Sequence, residues 1–472
     1  MYHLALILSF FFVAFTDKGG SNQLALSPDA QSLRVHRGIA IDSLDYAVCP
    51  AYLDSLQNRG ARICHTSRWI NGATVYCHKA QIDNITMLPF VKSVQLTRGL
   101  EEYLEEINAE QKKRGKLFAP CEDEQPDYTQ QQRRINLLPL HELGYKGQGV
   151  KVAVIDGGFW NLSTAVAFDS IRNNGQLLGT FDFAEDEEDF EGTAGEHGAV
   201  CLSLIGANTE NYRGTATKAS FYAIKSEENG IESLKEVDNL VAALEVCDSL
   251  GVWIASISLG YAEFDEPLAE YSFADLDGRR IRSSLAAVIA ARKGMLLCVA
   301  AGNSGATQSW PWISSPADAD SILTVGAIEY DSTAATFSSI GPTADERIKP
   351  ELCAVGKKTC LLNVKSNTIY YGNGTSFAAP QIAGLAACLW SAYPEESNLQ
   401  IRERIIYSCN QWSSPDKKMG YGIPDAWKAY ANKPEAIEPL ETGSKGARKI
   451  LRHGRILIVR DGVEYDMLGN KL

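Results

Sequence analysis

The stretch Gly374-Thr375-Ser376-Phe377-Ala378-Ala379-Pro380, followed by the apolar run Ile382 to Trp390, constrains the fold more than any other part of the chain. The pattern predicts a helix that is apolar nearly all round. Such a helix has to run through a core rather than lie on one. Pro380 is read as tolerated because it falls in the first turn. Ser376 then stands at the helix N-terminus, where unpaired backbone N–H groups stabilise developing negative charge. That position suits a nucleophile; an ordinary capping serine is the plain alternative.

Three further contexts place polar chemistry at the ends of apolar segments. Val150 to Ile155 is a short apolar run that stops at Asp156-Gly157-Gly158. It reads as a buried parallel strand with a carboxylate at its C-terminal end, where open α/β sheets place their sites. Glu196-His197-Gly198 precedes an apolar stretch, Ala199 to Ala207, that reads as a buried helix. Met295 to Ala301 reads as another buried strand, ending in Gly302-Asn303. That amide either caps a turn or aims its NH₂ at an oxyanion. Lys235 to Cys247 and Ser283 to Arg292 have helical patterns, and Val252 to Leu259 a strand pattern. This alternation implies a parallel sheet covered by helices.

Together Asp156, His197, Asn303 and Ser376 in these contexts resemble the subtilisin-like serine proteases, the subtilases, whose acid, base and nucleophile follow the order Asp, His, Ser. The resemblance spans roughly residues 130–430. Ser258-Leu259-Gly260 resembles the family's substrate-binding strand. Ser315-Pro316-Ala317 with Leu323 to Ala327 resembles the segment behind its specificity pocket. Phe337 to Pro342 and Lys349 to Leu352 look like its late core loop. The resemblance implies an α/β fold, a subtilisin-like three-layer parallel sheet flanked by helices. It also implies a serine endopeptidase working through a Ser-His-Asp triad and an acyl-enzyme. Asp156, His197 and Ser376 would be catalytic, with Asn303 as oxyanion donor. Ser258, Leu259, Gly260, Ala301 and Gly302 would bind substrate. Three positions depart from the family pattern. Gly157 stands where Ser or Thr is common, Ala199 where Thr is usual, and Phe377 where Met is usual. Other readings are an esterase or amidase on the same scaffold and a catalytically silent binding protein of subtilase shape.

The 472 residues are too many for one typical domain. Leu4 to Phe15 is a nearly unbroken apolar stretch, too short to span a bilayer. It reads as the core of a secretory leader over residues 1–16, which makes the protein exported, to the periplasm, cell surface or exterior. Residues 17–32 are polar and read as unordered. Residues 33–99 follow a β-α-β-β-α-β pattern beginning with a strand at Val35 to Ile41, a small α+β ferredoxin-like unit. This unit resembles subtilase propeptides, implying an intramolecular inhibitor and chaperone. Residues 100–128, with Lys112-Lys113-Arg114 and Gln130-Gln131-Gln132 beyond, have linker composition and suit self-cleavage of a zymogen. The catalytic domain follows at 129–432. A linker and a C-terminal hairpin tail, signalled by Asp461-Gly462, occupy 433–472.

The net charge of −13 disfavours nucleic acid as a partner and does not identify a substrate; protein or peptide substrates are what the resemblance implies. No later segment is long and apolar enough to cross a membrane. Eleven cysteines leave at least one unpaired. Cys64 and Cys77 flank the turn signal Asn71-Gly72, and Cys353 and Cys360 flank a short loop, so either pair is open to bonding. No Cys/His ligand spacing points to a metal. The acidic loop Asp182 to Glu191 reads as solvated. Calcium binding there, or a preference for basic residues near the cleft, rests on no spaced motif.

Overall fold

The computed structural model describes residues 8–99, 118–119, 127–184, 190–191, 195–228, 232–265 and 271–432, and three strands between 447 and 465. Its centre is a seven-stranded parallel sheet in the order β12-β11-β10-β9-β6-β8-β7. The strands are β6 (Lys151–Asp156), β7 (Leu177–Asp182), β8 (Ser220–Lys225), β9 (Ile254–Ile257), β10 (Leu296–Ala300), β11 (Leu323–Ile328) and β12 (Leu352–Val355). β6 lies between β8 and β9, so the chain reverses its winding there. Crevices at C-terminal strand ends open at such switch points.

Helices cover both faces, so the central strands are apolar on both sides. On one face, Val152, Val154 and Leu296 pack against the Thr375–Ala392 helix and the His197–Gly206 helix. On the other, Ala153, Ile155 and Leu297 pack against the Leu234–Ser249 and Arg282–Arg292 helices. The Thr375–Ala392 helix carries Trp390 at full burial, as its all-round apolar pattern requires. The expected three-layer α/β architecture is the one observed.

The N-terminal unit is a four-stranded antiparallel sheet in the order β2-β3-β1-β4. Its composition corrects the sequence reading. The first strand, β1, is Leu8–Phe15, the segment read as a leader, and it pairs with β3 (Gly72–His78) on one side and β4 (Val91–Arg98) on the other. The reason is burial on both faces. Phe11, Val13 and Phe15 enter the unit's own core. Phe10 faces Lys235, 4.2 Å from ring centroid to Nζ, and Phe12 faces Arg282 at 4.7 Å. A strand covered twice has the unbroken apolar composition of a leader. Val35 to Ile41 is not a strand. A helix, α1 (Pro28–His36), is capped by Ser27 and ends before Gly38 in a left-handed conformation. Residues 17–27, read as unordered, run along the unit, with Leu24 bridged to Tyr46. The remaining elements are α2 (Pro50–Gln57), β2 (Arg62–Ser67) and α3 (Lys79–Thr86).

This sheet docks on the Leu234–Ser249 helix through Glu245. Its carboxylate accepts from the Ser67 hydroxyl at 2.5 Å and from the Arg68 and Trp69 amides at 2.8 and 3.0 Å. Arg34 and Arg68 both reach Asp248, at 2.6 and 2.8 Å. Lys293 pairs with Asp45 at 2.7 Å.

No two of the ten described cysteines form a disulfide with each other, and Cys121 lies outside the described residues. A bulge between Ile63 and His65 takes Cys64 out of the ladder register. Most of the linker and the middle of the acidic loop also lie outside the described residues. Phe118–Ala119 forms a short strand, β5, beside β14 (Thr368–Gly372), itself paired with β13 (Thr359–Asn363). Near the C-terminus β15 (Ala447–Arg452), β16 (Arg455–Arg460) and β17 (Val463–Tyr465) form an antiparallel sheet, so a strand begins inside the predicted linker at 433–448.

Candidate active site

Asp156 ends β6, and His197 begins the His197–Gly206 helix. They lie 41 residues apart in sequence, and the fold brings His197 Nδ1 within 2.6 Å of Asp156 Oδ1. The same oxygen accepts from the Gly157 amide at 2.8 Å. Asp156 is fully buried, and its Oδ2 has no hydrogen-bond partner among the described residues. Burial opposes charge on the imidazole. The Asp156 carboxylate outweighs it and, with Cys201, holds His197 well above the ordinary value of 6.5.

Gly158 and Gly198 permit this approach. Gly158 has φ 150° and lies so close to Gly195 that a Cβ would meet its Cα at 2.7 Å. A Cβ on Gly198 would meet the Gly158 carbonyl at 2.5 Å and the Asp156 Cβ at 2.8 Å. Gly157 is different: an added Cβ meets nothing nearer than Glu227 at 3.5 Å.

Ser376 is the second residue of the Thr375–Ala392 helix. Its hydroxyl donates to the Ser258 carbonyl at 3.2 Å. Its own carbonyl accepts from the Ser258 hydroxyl at 2.8 Å and the Cys201 thiol at 3.5 Å. Pro380 explains why that carbonyl is available. It is the sixth helical residue, in the second turn rather than the first as read from sequence. Having no N–H, it leaves the carbonyl four residues back, that of Ser376, outside the helical ladder. The freed oxygen joins the Ser376 turn to the strand end at Ser258 and to the helix bearing His197.

Cys201 is the residue that sequence reasoning placed only in the core. It lies one turn after His197, with Sγ 3.9 Å from Nδ1. The signal was available, since positions i and i+4 share a helix face. Burial pushes its thiol pKa up, which keeps the proton it donates. Thr375 was also missed. Its N–H and hydroxyl donate to Asn303 Oδ1 at 2.9 and 3.1 Å, and its Oγ1 accepts from the Gly302 amide at 3.1 Å. The Asn303 oxygen is thereby held, leaving its NH₂ for the cavity.

That cavity holds about 350 Å³ and is lined by Ser376, Asn303, Ser258, Leu259, Gly260 and Gly302 among others. Ala301 is fully buried behind it, with its amide tied to Val325, and Ala300 lines the cavity in its place. Among the described residues two groups have ligand atoms within 4.8 Å of one another, Asp156–His197–Cys201 and Glu227–Glu232–Glu236. The first is accounted for by the hydrogen bonds above.

A helix N-terminus carrying a hydroxyl and a tethered amide line one cavity, and Cys201 joins the Ser376 carbonyl to the imidazole of the Asp156–His197 pair. This arrangement can transfer a proton from serine and stabilise an oxyanion. Comparison with known proteins agrees. Residues 147–422 match the model of the subtilase family. Residues 10–115 match that of the peptidase S8 propeptide domain of Bacteroidota. The chain is 31% identical to subtilisin DY of Bacillus licheniformis over 267 residues, 56% of this chain and 84% of that protein. It is 30% identical to a thermostable alkaline protease of Halalkalibacterium halodurans over 304 residues, covering 62% and 71% of the two chains. With subtilisin NAT of Bacillus subtilis subsp. natto the identity is 25% over 356 residues, 75% and 79% of each.

Proposed function

The chain belongs to the subtilase family and is a serine-type endopeptidase, and we propose that it cuts peptide bonds with Ser376 as nucleophile, His197 as base, Asp156 as orienting acid and Asn303 as oxyanion donor. The single observation carrying this assignment is the 2.6 Å Asp156–His197 contact, tied to the Ser376 turn through Cys201, whose Sγ lies 3.9 Å from His197 Nδ1 and donates to the Ser376 carbonyl.

The free-state geometry suggests how substrate starts the reaction. The Ser376 hydroxyl now donates to the Ser258 carbonyl. An extended peptide pairing with Ser258–Gly260 needs that same carbonyl for its own N–H. Taking it releases the hydroxyl to turn toward the imidazole. His197 then accepts the proton as the oxygen attacks the scissile carbonyl, and Asp156 stabilises the imidazolium. Asn303 and the Ser376 amide hold the oxyanion. The imidazolium protonates the leaving amine, and water repeats the sequence on the acyl-enzyme.

The N-terminal unit acts in this proposal as inhibitor and chaperone, and the precursor cuts itself within the linker. The match to a propeptide domain supports this, as does the buried anchoring of the unit on the catalytic domain. Gln131, beyond the linker, pairs with both the Cys360 amide and its carbonyl, at 2.9 and 3.1 Å, which favours a cut before that point. Export remains part of the proposal. Leu8–Phe15 is committed to the sheet, and no helix among the described residues is long and apolar enough to cross a membrane.

Replacing Ser376 by Ala tests the assignment. The variant should keep the fold and the full-length mass, and lose nearly all casein hydrolysis and all organophosphonate labelling. Wild-type protein should take the label at Ser376 and shed its N-terminal part. Near-normal turnover by the variant would remove Ser376 as nucleophile. Efficient cleavage of short esters without casein hydrolysis would favour the esterase reading.

A further inference from the structure

The chain between β1 and α2 leaves the N-terminal sheet and crosses to the catalytic domain. The Ser27 amide donates to the Ser249 carbonyl at 2.9 Å, and Asp29 pairs with Lys151 at 2.9 Å. Ala30 sits over Gly251, where a Cβ would meet its Cα at 3.2 Å. Ile39 sits over Gly294, where a Cβ would meet its Cδ1 at 2.6 Å. Lys151, Trp253 and Gly294 stand at or just before the starts of β6, β9 and β10. Asp156, Ser258 and Asn303 stand at or after the other ends of the same strands. The crossing segment therefore grips the pole of the sheet opposite the active site.

Arg37, the residue that closes α1, is the centre of this grip. Its guanidinium carbon lies 4.5 Å from the Trp253 ring centroid and 4.4 Å from that of Trp390. The two rings are 5.0 Å apart at 62°, and Arg37 Nη1 donates to the Gly294 carbonyl at 2.6 Å. The Trp390 indole N–H donates to the Glu396 carbonyl at 2.9 Å, which fixes that ring without help from Arg37. Arg34, Arg68 and Lys293 at the same interface all pair with carboxylates. Arg37 differs. No carboxylate among the described residues pairs with it, and its Nε and Nη2 are buried without a hydrogen-bond partner. Burial pulls its pKa down to about 9. A cation without counter-charge is held here by two indole faces and one carbonyl. A planar, weakly hydrated guanidinium suits that setting, and a compact, strongly hydrated ammonium does not.

We propose that Trp253, Trp390 and the Gly294 carbonyl are a guanidinium-binding site on the catalytic domain, filled by Arg37 in the intact chain, and that this second anchor governs how long the N-terminal unit stays docked after the linker is cut. The timing rests on the self-processing reading above; the binding site does not.

The test uses the full-length chain. In the Ser376→Ala background, which stays whole, Arg37→Ala should speed amide exchange along α1 at least about tenfold, and Arg37→Lys should do nearly as much. Trp253→Leu should act as Arg37→Ala does. In the active chain, Arg37→Ala should shorten at least about tenfold the time from linker cleavage, read by mass, to separation of the N-terminal part, read by size-exclusion chromatography. On the mature enzyme freed of that part, ethylguanidinium should quench tryptophan fluorescence saturably, and ethylammonium at equal ionic strength should not. Trp253→Leu should abolish the response. Exchange along α1 unchanged by Arg37→Ala overturns the anchor. An Arg37→Lys chain that matches its parent, or a silent or equal response to the two cations, overturns guanidinium as the ligand class. Faster exchange with an unchanged release time overturns the control of release and leaves the site standing. A wild-type chain that never sheds its N-terminal part overturns self-processing instead, and the exchange measurements still decide the anchor.

Discussion

His197 is the residue whose environment makes the sharpest prediction. Its pKa is held above 6.5 against burial by the Asp156 carboxylate. Only the neutral ring accepts the serine proton, so kcat/KM should rise with pH through a midpoint above 6.5 and stay low in mild acid. Asp156→Asn removes the charge that raises the pKa. It should move the midpoint downward and reduce kcat by about 10⁴-fold. A pH–rate profile of both proteins checks this, and an unmoved midpoint would detach Asp156 from the base. The same shift has a stability consequence of definite sign. The ring gains its proton more readily folded than unfolded, so the pair's contribution is complete below pH 6.5 and is lost as pH rises through the folded value. All four catalytic candidates were legible as residues, because each ends an apolar run at a glycine or helix start. Cys201 and Thr375 were not. Their side chains matter through what they touch: Cys201 was marked only by its i, i+4 spacing from His197, and nothing in its own neighbourhood distinguishes Thr375. The departure at Gly157 was visible in the sequence. Its correlate is the unpartnered Asp156 Oδ2.

Among elements, the Thr375–Ala392 helix does most to assemble the site, through a proline that sequence alone misplaced by a turn. Pro380→Ala would supply an N–H to the Ser376 carbonyl and draw it into the helical ladder, away from Ser258 and Cys201. Helix propensity improves with this change, so melting temperature should not fall. The nucleophile's turn loses its tether, and kcat should drop about tenfold. Measuring kcat beside the melting temperature separates the two effects, and an unaltered kcat would show the freed carbonyl to be idle. β1 teaches the complementary lesson. Its apolar run was legible, but its state was not, since a short segment buried on two sides and a leader present the same composition. Which faces are covered depends on Lys235 and Arg282, more than two hundred residues further on.

At the scale of the whole molecule, the N-terminal unit and the catalytic domain are joined by buried charge. Glu245 accepts from Ser67, Arg68 and Trp69 where water is excluded. Glu245→Ala would leave those donors without their acceptor, at a cost of about 2–4 kcal/mol to docking. Amide exchange at Arg68 and Trp69, followed in the Ser376→Ala background so that the chain stays whole, should accelerate by about 30-fold or more. Protection equal to that of the parent would show that the unit is held elsewhere. The interface itself was not foreseeable. The pattern over Lys235 to Cys247 gives a helix and no partner for Glu245, and only docking buries that side chain.

Local sequence determined what depends on neighbours along the chain: the alternation of strand and helix, the glycine turns, and the residue types able to do acyl-transfer chemistry. The family pattern added the order of the triad. Tertiary structure decided what depends on neighbours in space. It set Asp156 against His197, lent the Ser376 carbonyl to Ser258 and Cys201, and folded Leu8–Phe15 into a sheet. The physical reason is that periodicity and turn propensity are short-range properties of the backbone. Proton transfer, desolvation and charge complementarity act across a few ångströms between segments that the chain itself keeps far apart.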